Sequence, residues 1–211
     1  QKPEIMWQFS EVVDGMAEAC RTFETPVTGG NVSLYNETLG EGIYPTPVIG
    51  IVGLIEPVTR VTGSWFGGDG QVVGLLGQLT QPDHEYRAAL EQAFTETIPE
   101  LSSPKDAYTL WANRLPCPPL DLRQEQGVQR ACLEGIQRGL VRAAHDCSDG
   151  GLAVALAEMS FSSFHTTGCG ACINLPAGDF PPGVLFGEYQ SRILVTLEKT
   201  HWEELRKVAA K

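Results

Sequence analysis

Two consecutive glycines followed by a run of polar side chains constrain this chain most strongly. Residues 28–37 read Thr-Gly-Gly-Asn-Val-Ser-Leu-Tyr-Asn-Glu. Glycine tolerates positive φ and has no side chain, so the backbone at Gly29 and Gly30 can turn sharply and approach a ligand closely. Amide, hydroxyl and carboxylate oxygens follow at once, the combination that a phosphate–Mg²⁺ site needs. A polar β-hairpin corner is the alternative interpretation, and a second glycine motif favours the ligand site.

That second motif stands far downstream, at the start of a predicted helix. Residues 145–152 read His-Asp-Cys-Ser-Asp-Gly-Gly-Leu, and the strong helix former Ala-Val-Ala-Leu-Ala-Glu-Met follows. Ser148 or Asp149 is predicted to cap the helix, and Gly150 and Gly151 to expose its first N–H groups. Because the amino end of a helix carries partial positive charge, these four residues are a candidate phosphate site. The alternative is a capped helix whose glycines only allow close packing.

The charge of the chain excludes one class of function. It has 211 residues, 42% of them hydrophobic, and a net charge of −11 from 15 basic and 26 acidic residues. A nucleic-acid surface would need clustered Lys and Arg, so we expect no nucleic-acid partner. No apolar run approaches the length of a membrane span. Nothing resembles a signal peptide, so we expect reduced thiols, a cytoplasmic location and, because both ends look cut, a piece of a longer protein.

Two further polar features are interpreted as structural. Cys169 and Cys172 have the spacing of a zinc or redox pair, but no second pair accompanies them, and His165 is the nearest histidine. Small core residues beside a strand are the favoured interpretation. His145 is the only histidine in a motif, and we expect a structural residue rather than a general base.

Hydrophobic periodicity and turn residues divide the chain near residue 57 into two units, 1–57 and 58–211. The second unit alternates strands with helices and is predicted to be an α/β or α+β layered domain. Asp121 and Thr200 are predicted helix caps, and the proline-rich segment 99–119 is predicted to be irregular. The predicted helices are 4–23, 83–97, 121–144 and the residues from 201 onward; the predicted strands are 32–35, 47–55, 71–78, 170–175 and 190–197.

Five ordered blocks of sequence together resemble one family closely. They are residues 3–9, 26–37, 46–56, 144–153 and 185–192, the last reading Leu-Phe-Gly-Glu-Tyr-Gln-Ser-Arg. The family is the synthetase subunit of phosphoribosylformylglycinamidine synthase, also called formylglycinamide ribonucleotide amidotransferase, in the form whose glutaminase is a separate subunit. It belongs to the aminoimidazole ribonucleotide synthetase superfamily, and the resemblance spans nearly the whole chain.

The resemblance implies a fold and a set of site residues. It makes 1–57 the tail of a synthetase-type N-terminal domain and 58–211 the layered C-terminal domain of the second copy in a tandem duplication. Gly30 is implied to contact ATP, Asn31 to ligate Mg²⁺ and Ser33 to contact the substrate phosphate. No catalytic residue is implied within the chain. The Ser148–Gly151 motif would be an auxiliary, non-catalytic phosphate site.

The implied reaction is the carbon–nitrogen ligation of purine biosynthesis. Formylglycinamide ribonucleotide, glutamine and ATP become formylglycinamidine ribonucleotide, glutamate, ADP and phosphate. The implied partners are a glutaminase subunit and a small accessory subunit, and the isolated chain is expected to be inactive. Two alternatives stay open: a non-catalytic scaffold that docks the other parts of the enzyme, and another ATP-dependent phosphoryl-transfer enzyme of the superfamily.

Overall fold

The computed structural model describes residues 2–32, 37–79, 84–95, 117–161, 168–176 and 181–211. The chain divides into two compact units, Gln1–Leu54 and Ile55–Lys211. Ser33, His165 and most of two predicted segments, the strand 32–35 and the irregular segment 99–119, lie outside the described residues. Among the described residues, no helix combines the length and the apolar character needed to cross a bilayer.

The first unit contains one long helix and a small hairpin. Helix α1 (Pro3–Thr22) begins with proline at its first turn, where the missing N–H costs nothing, and it confirms the predicted helix 4–23. Strands β1 (Glu37–Thr38) and β2 (Glu41–Gly42) pair antiparallel. No described residue of this unit is buried, so the apolar stripe of α1 is at most partly buried: Ile5 and Phe9 are exposed, and Val12, Met16 and Ala19 are partly buried.

A three-stranded antiparallel sheet forms the centre of the second unit. Its strands are β3 (Gln71–Leu76), β4 (Val141–Asp146) and β5 (Ile193–Glu198), in the order β3-β5-β4. The register places Gly74 opposite Val195 on one side, and Ala144 opposite the same residue on the other. The mixed α/β class predicted for the chain is confirmed, and all described strand pairs are antiparallel.

Five helices accompany this sheet in the described part of the second unit. They are α2 (His84–Thr95), α3 (Leu122–Gln137), α4 (Gly151–Ser160), α5 (Pro181–Phe186) and α6 (Trp202–Ala209). The Asp121 side chain accepts hydrogen bonds from the backbone amides of Arg123 and Gln124, at 2.9 and 3.2 Å. That contact satisfies two donors of the first turn and confirms the predicted cap of α3.

Both faces of the sheet are covered by packed side chains. Strand β5 contributes to both cores, because its successive side chains point to opposite sides of the sheet. Val195 and Leu197 pack in a core with residues of α3 and α6, including Val128 and Leu205. Leu194 packs on the other face in a second core, with Leu152, Ala155 and Met159 of α4 and with Phe66. The start of α4 is therefore held against the sheet by its own apolar side chains.

Several predicted elements are wrong or shifted. The predicted helix 121–144 ends at Gln137, because Gly139 adopts a φ of +71° and the next residues enter β4. The segment 47–55 forms no strand and is exposed, with Val52 fully exposed. No described strand pairs with it, and a strand needs a neighbour to satisfy its backbone.

Two smaller predictions also fail. Residues 168–176 contain no strand, although 170–175 was predicted to form one. Thr200 caps no α-helix; it lies in a short 3₁₀ turn, Lys199–His201, and α6 begins after it without a side-chain cap. The predicted strands 71–78 and 190–197 and the predicted helix 83–97 are confirmed as β3, β5 and α2.

Candidate functional site

The turn at Gly29, Gly30 and Asn31 in the first unit, called here the glycine–asparagine corner, is open. Gly30 and Asn31 are both exposed, and a Cβ built on Gly30 would meet nothing within 4 Å. The backbone there is accessible from outside, as a contact with a bulky phosphate requires. Ser33, predicted to contact the substrate phosphate, lies outside the described residues.

Asn31 fits Mg²⁺ as one ligand rather than as a complete site. In the part of the chain that the structure describes, no three His, Cys, Asp or Glu residues group closely enough to hold a metal ion. Mg²⁺ keeps several waters and binds through one or two protein oxygens together with substrate phosphates. The amide oxygen of Asn31 suits such a partial set, in which nucleotide phosphates supply the remaining oxygens.

The second glycine motif forms a left-handed turn at the start of α4. Gly150 and Gly151 have φ values of +74° and +65°, a region that other residues rarely adopt. Neither Ser148 nor Asp149 caps the helix, contrary to the sequence-based expectation, since the cap position is occupied by Gly150, which has no side chain. The Ser148 hydroxyl donates instead to the carboxylate of Asp146.

The carboxylate at this helix start comes from a distant part of the chain. The backbone N–H of Gly150 donates to Oε1 of Glu188 at 2.9 Å, across 38 residues of sequence. The backbone N–H of Gly151 donates to the carbonyl of Ser148 at 3.0 Å. The anion predicted for this position is thus supplied, in this structure, by a side chain of the protein.

The loop 187–192 lies directly against the motif. The Cys147 N–H donates to the carbonyl of Arg192 at 3.0 Å, and a Cβ added to Gly151 would lie 2.7 Å from the Gly187 carbonyl oxygen. The blocks 144–153 and 185–192, two of the five blocks that together resemble one family, therefore lie in direct contact. Sequence reasoning had assigned no role to Glu188 or Arg192, and their occurrence in the second block was the available signal.

Arg192 is a buried cation held by this loop. Its residue is 3% exposed, Nε donates to the Tyr189 carbonyl at 3.3 Å and Nη2 to the Gly187 carbonyl at 2.6 Å. The guanidinium carbon lies 4.8 Å from the centre of the Tyr189 ring, a cation–π arrangement. Nη1 is buried and has no hydrogen-bond partner.

Burial dominates the electrostatics around Arg192. It lowers the pKa of the guanidinium, while nearby Cys147, Tyr189 and Tyr86 act in the opposite direction. Burial also raises the pKa of the Cys147 thiol, and the positive charge of Arg192 opposes that rise. The groups around the cation are therefore mainly weak acids that are neutral at pH 7.

His145, Cys169 and Cys172 are the remaining positions named in the sequence analysis. His145 places Nδ1 2.6 Å from the Asp146 carbonyl and Nε2 3.2 Å from a carboxylate oxygen of Glu158, and its structural role stays a prediction. The Cys169 thiol lies 3.7 Å from a carboxylate oxygen of Asp69. Cys172 is exposed, both cysteines are free, and residues 168–176 contain no strand. The interpretation of the two as small core residues beside a strand is therefore wrong for Cys172, while Cys169 packs against the second core.

Comparison with known proteins assigns both parts of the sequence. The family model "AIR synthase related protein, N-terminal domain" matches residues 1–55, and "AIR synthase related protein, C-terminal domain" matches residues 107–211.

Curated relatives match over nearly the whole chain. Phosphoribosylformylglycinamidine synthase subunit PurL of Anaeromyxobacter dehalogenans (strain 2CP-C) is 46% identical over 210 residues, covering 94% of this chain and 25% of the relative. The same subunit of Synechococcus sp. (strain JA-3-3Ab) is 43% identical over 210 residues, 96% of this chain and 24% of the relative. The chain spans about a quarter of the length of the curated relatives it matches.

A solved structure, "T. maritima PurL complexed with FGAR", is similar to this chain with a TM-score of 0.47 and 21% identity. The match covers 72% of this chain and 24% of the chain in that structure.

Proposed function

Since the chain belongs to the phosphoribosylformylglycinamidine synthase subunit PurL family, within the AIR synthase related proteins, we propose that it forms part of the ATP-dependent ligase of purine biosynthesis. The ligase converts formylglycinamide ribonucleotide, glutamine and ATP to formylglycinamidine ribonucleotide, glutamate, ADP and phosphate. The observation that carries the proposal is the 46% identity to a PurL subunit over 94% of the chain. Residues 1–57 are the tail of the N-terminal domain and 58–211 the C-terminal domain.

The chain's contribution to the reaction is a corner for nucleotide and substrate phosphates. We assign Gly30 to a backbone contact with ATP, Asn31 to Mg²⁺ and Ser33 to the substrate phosphate. The open surroundings of Gly30 and the exposure of Asn31 support this assignment. Bound Mg²⁺ and ATP supply charge neutralisation and the phosphoryl group. The chain's own residues bind and orient these groups, and without further catalytic residues the isolated chain is inactive.

Glutamine is the proposed amido donor, and the proposed partners are a glutaminase subunit and a small accessory subunit of the same complex. The location is cytoplasmic. The Ser148–Gly151 motif is an auxiliary phosphate site that takes no part in the chemistry. The donors at the start of α4, which include the Gly150 N–H, support an anion there.

A chimaera tests the ligase assignment. Residues 1–211 replace the matching quarter of the Anaeromyxobacter dehalogenans subunit, and ADP formation dependent on formylglycinamide ribonucleotide is measured. We expect activity in the chimaera and a loss of at least about 10²-fold in Asn31→Ala, because a metal ligand is removed. Val27→Ala, an exposed neighbour, is the matched control and should retain full activity. Equal activity in both variants would contradict the role of Asn31.

A scaffold is the second candidate function, and one observation favours it. The Gly150 and Gly151 amides and the Ser148 hydroxyl at the second motif all have partners within the protein. Calorimetry separates the two functions. Binding of Mg²⁺-ATP by the chain that is lost in Asn31→Ala supports the ligase corner, whereas absence of binding favours the scaffold.

A further inference from the structure

Helix α1 carries an acidic stripe that faces solvent. Residues three and four positions apart in a helix lie on the same side. Five residues of α1 follow that spacing, and each of them is exposed: Glu4, Trp7, Glu11, Asp14 and Glu18. Trp7 is 63% exposed, whereas so large an apolar ring is usually buried for the most part. The acidic stripe therefore combines four carboxylates with one apolar side chain.

Helix α3 carries a stripe of the opposite charge. Its buried residues Val128, Ala131 and Cys132 pack in the core with β5 and α6, so the opposite side of the helix faces outward. At the same three- and four-residue spacing, that side presents five exposed residues: Arg123, Gln126, Arg130, Leu133 and Gln137. Leu133 is 55% exposed. This basic stripe, like the acidic one, combines charged groups with one apolar side chain.

The main charges of both stripes have no ionic partner within the chain. Among the residues that the structure describes, neither Arg123 nor Arg130 forms an ion pair, and neither Glu11 nor Glu18 does. Exposed charges are ordinarily satisfied by water, so the lack of a partner selects nothing by itself. The selection comes from the order of the residues along the two stripes.

An antiparallel alignment matches the two stripes position by position. Both cover 15 residues of helix, 4–18 and 123–137, and so both extend over about 21 Å of helix axis. When the helices run in opposite directions, the residues that face one another are Trp7 and Leu133, Glu11 and Arg130, and Glu18 and Arg123. One apolar contact and two opposite-charge contacts therefore form at once.

A parallel alignment does not give this match. It would place Trp7 against Gln126 and Leu133 against Asp14, so each apolar side chain would meet a polar one. Burying a carboxylate against an apolar side chain leaves the charge without compensation. The order of the residues therefore favours the antiparallel arrangement.

We propose that α3 of one copy of this chain is a docking surface for α1 of a second copy, packed antiparallel through the basic and acidic stripes. The occupant is a second copy because the complementary charges and both apolar side chains are present in this one sequence. The contact is heterologous, since two different surfaces meet and every copy carries both. Exposed ion pairs each contribute little and the chain has a net charge of −11, so the association is weak and sensitive to salt.

Sedimentation velocity on a dilution series of the 211-residue chain at low salt measures this association. Glu11→Lys and Arg130→Glu each replace an attraction by a like-charge contact, so each variant alone should associate at least about tenfold more weakly than the unmodified chain. In an equimolar mixture, each contact between the two variants pairs opposite charges again. The mixture should therefore recover association to within about threefold of the unmodified chain.

Glu56→Lys and Arg60→Glu are the matched controls. Both positions are exposed and lie outside the two stripes, and the substitutions change the net charge by the same amounts. Their association should stay within about twofold of the unmodified chain. Net charge alone predicts the opposite result for Glu11→Lys, because a less acidic chain repels its copies less. Circular dichroism checks that every variant keeps its helices.

Three outcomes would overturn the inference. The first is a chain that stays monomeric at every concentration at low salt. The second is a mixture of Glu11→Lys and Arg130→Glu that associates no better than either variant alone. The third is association of both variants at the strength of the unmodified chain, which would place the contact on another surface, such as the exposed apolar segment 47–55.

Discussion

The carbonyl oxygen of Gly187 lies so close to Gly151 that a methyl group on Gly151 would stand 2.7 Å from it. This contact joins the turn before α4 to the loop that carries Glu188 and Arg192. Glycine is required at position 151 for two reasons. A side chain would clash with the Gly187 carbonyl oxygen, and the φ of +65° is one that residues with side chains rarely adopt.

Gly151→Ala is expected to destabilise the second unit by about 2 kcal/mol, because it adds both strain and a clash. Urea unfolding followed by circular dichroism measures the change. Gly127→Ala is the matched control, since Gly127 lies inside α3 with open space around it, and alanine there should stabilise by about 0.5 kcal/mol. Equal effects of the two substitutions would refute the contact.

Asp121→Ala should cost about 1 kcal/mol of stability, because the amides of Arg123 and Gln124 lose their acceptor. Asp149→Ala should cost little, as no side chain caps α4. Thermal unfolding curves of the two variants measure both losses of stability. They compare Asp121, which caps a helix in the structure, with Asp149, which was a predicted cap only. A larger loss in Asp149→Ala would reverse the assignment.

Cys132 makes stability depend on alkaline pH. Burial raises the pKa of its thiol above the ordinary value of 9.0. As the pH rises, the thiol therefore ionises in the unfolded chain before it ionises in the folded chain. The contribution of Cys132 to the free energy of unfolding is intact below pH 9 and is lost as the pH rises through the pKa of the folded state. We expect the free energy of unfolding to fall less between pH 8 and 10 in Cys132→Ala than in the unmodified chain. Parallel pH profiles would contradict this.

The exposed apolar segment of the first unit should bind a hydrophobic dye. Val48 and Val52 are 98% and 100% exposed, so replacing both by lysine removes apolar surface without disturbing any packing. We expect lower anilinonaphthalene sulfonate fluorescence and less concentration-dependent light scattering. Thr28→Lys with Thr46→Lys adds the same charge at two exposed polar positions. If this control lowers the signals equally, charge rather than apolar surface is responsible.

Sequence reasoning succeeded where the signal was local. The periodicity of α1 and α2 and the cap at Asp121 depend on residues within a few positions of one another, so these predictions are confirmed. It failed at residues 141–144, where a helix was expected and β4 forms, because pairing with β5 overrides the local preference. The apolar segment 47–55 failed for a related reason: its composition favours a strand, but no described strand pairs with it.

By itself, the sequence determined the family, the mixed α/β class and the two glycine motifs, because these depend on residue order and on the backbone freedom of glycine. Only the tertiary structure decided what occupies the second motif. Glu188 is 38 residues from Gly150 and reaches it because β4 and β5 pair side by side. The buried, incompletely paired Arg192 arises in the same way. Contacts between distant segments are set by the packing of the sheet and its loops, and no local pattern in either segment encodes them.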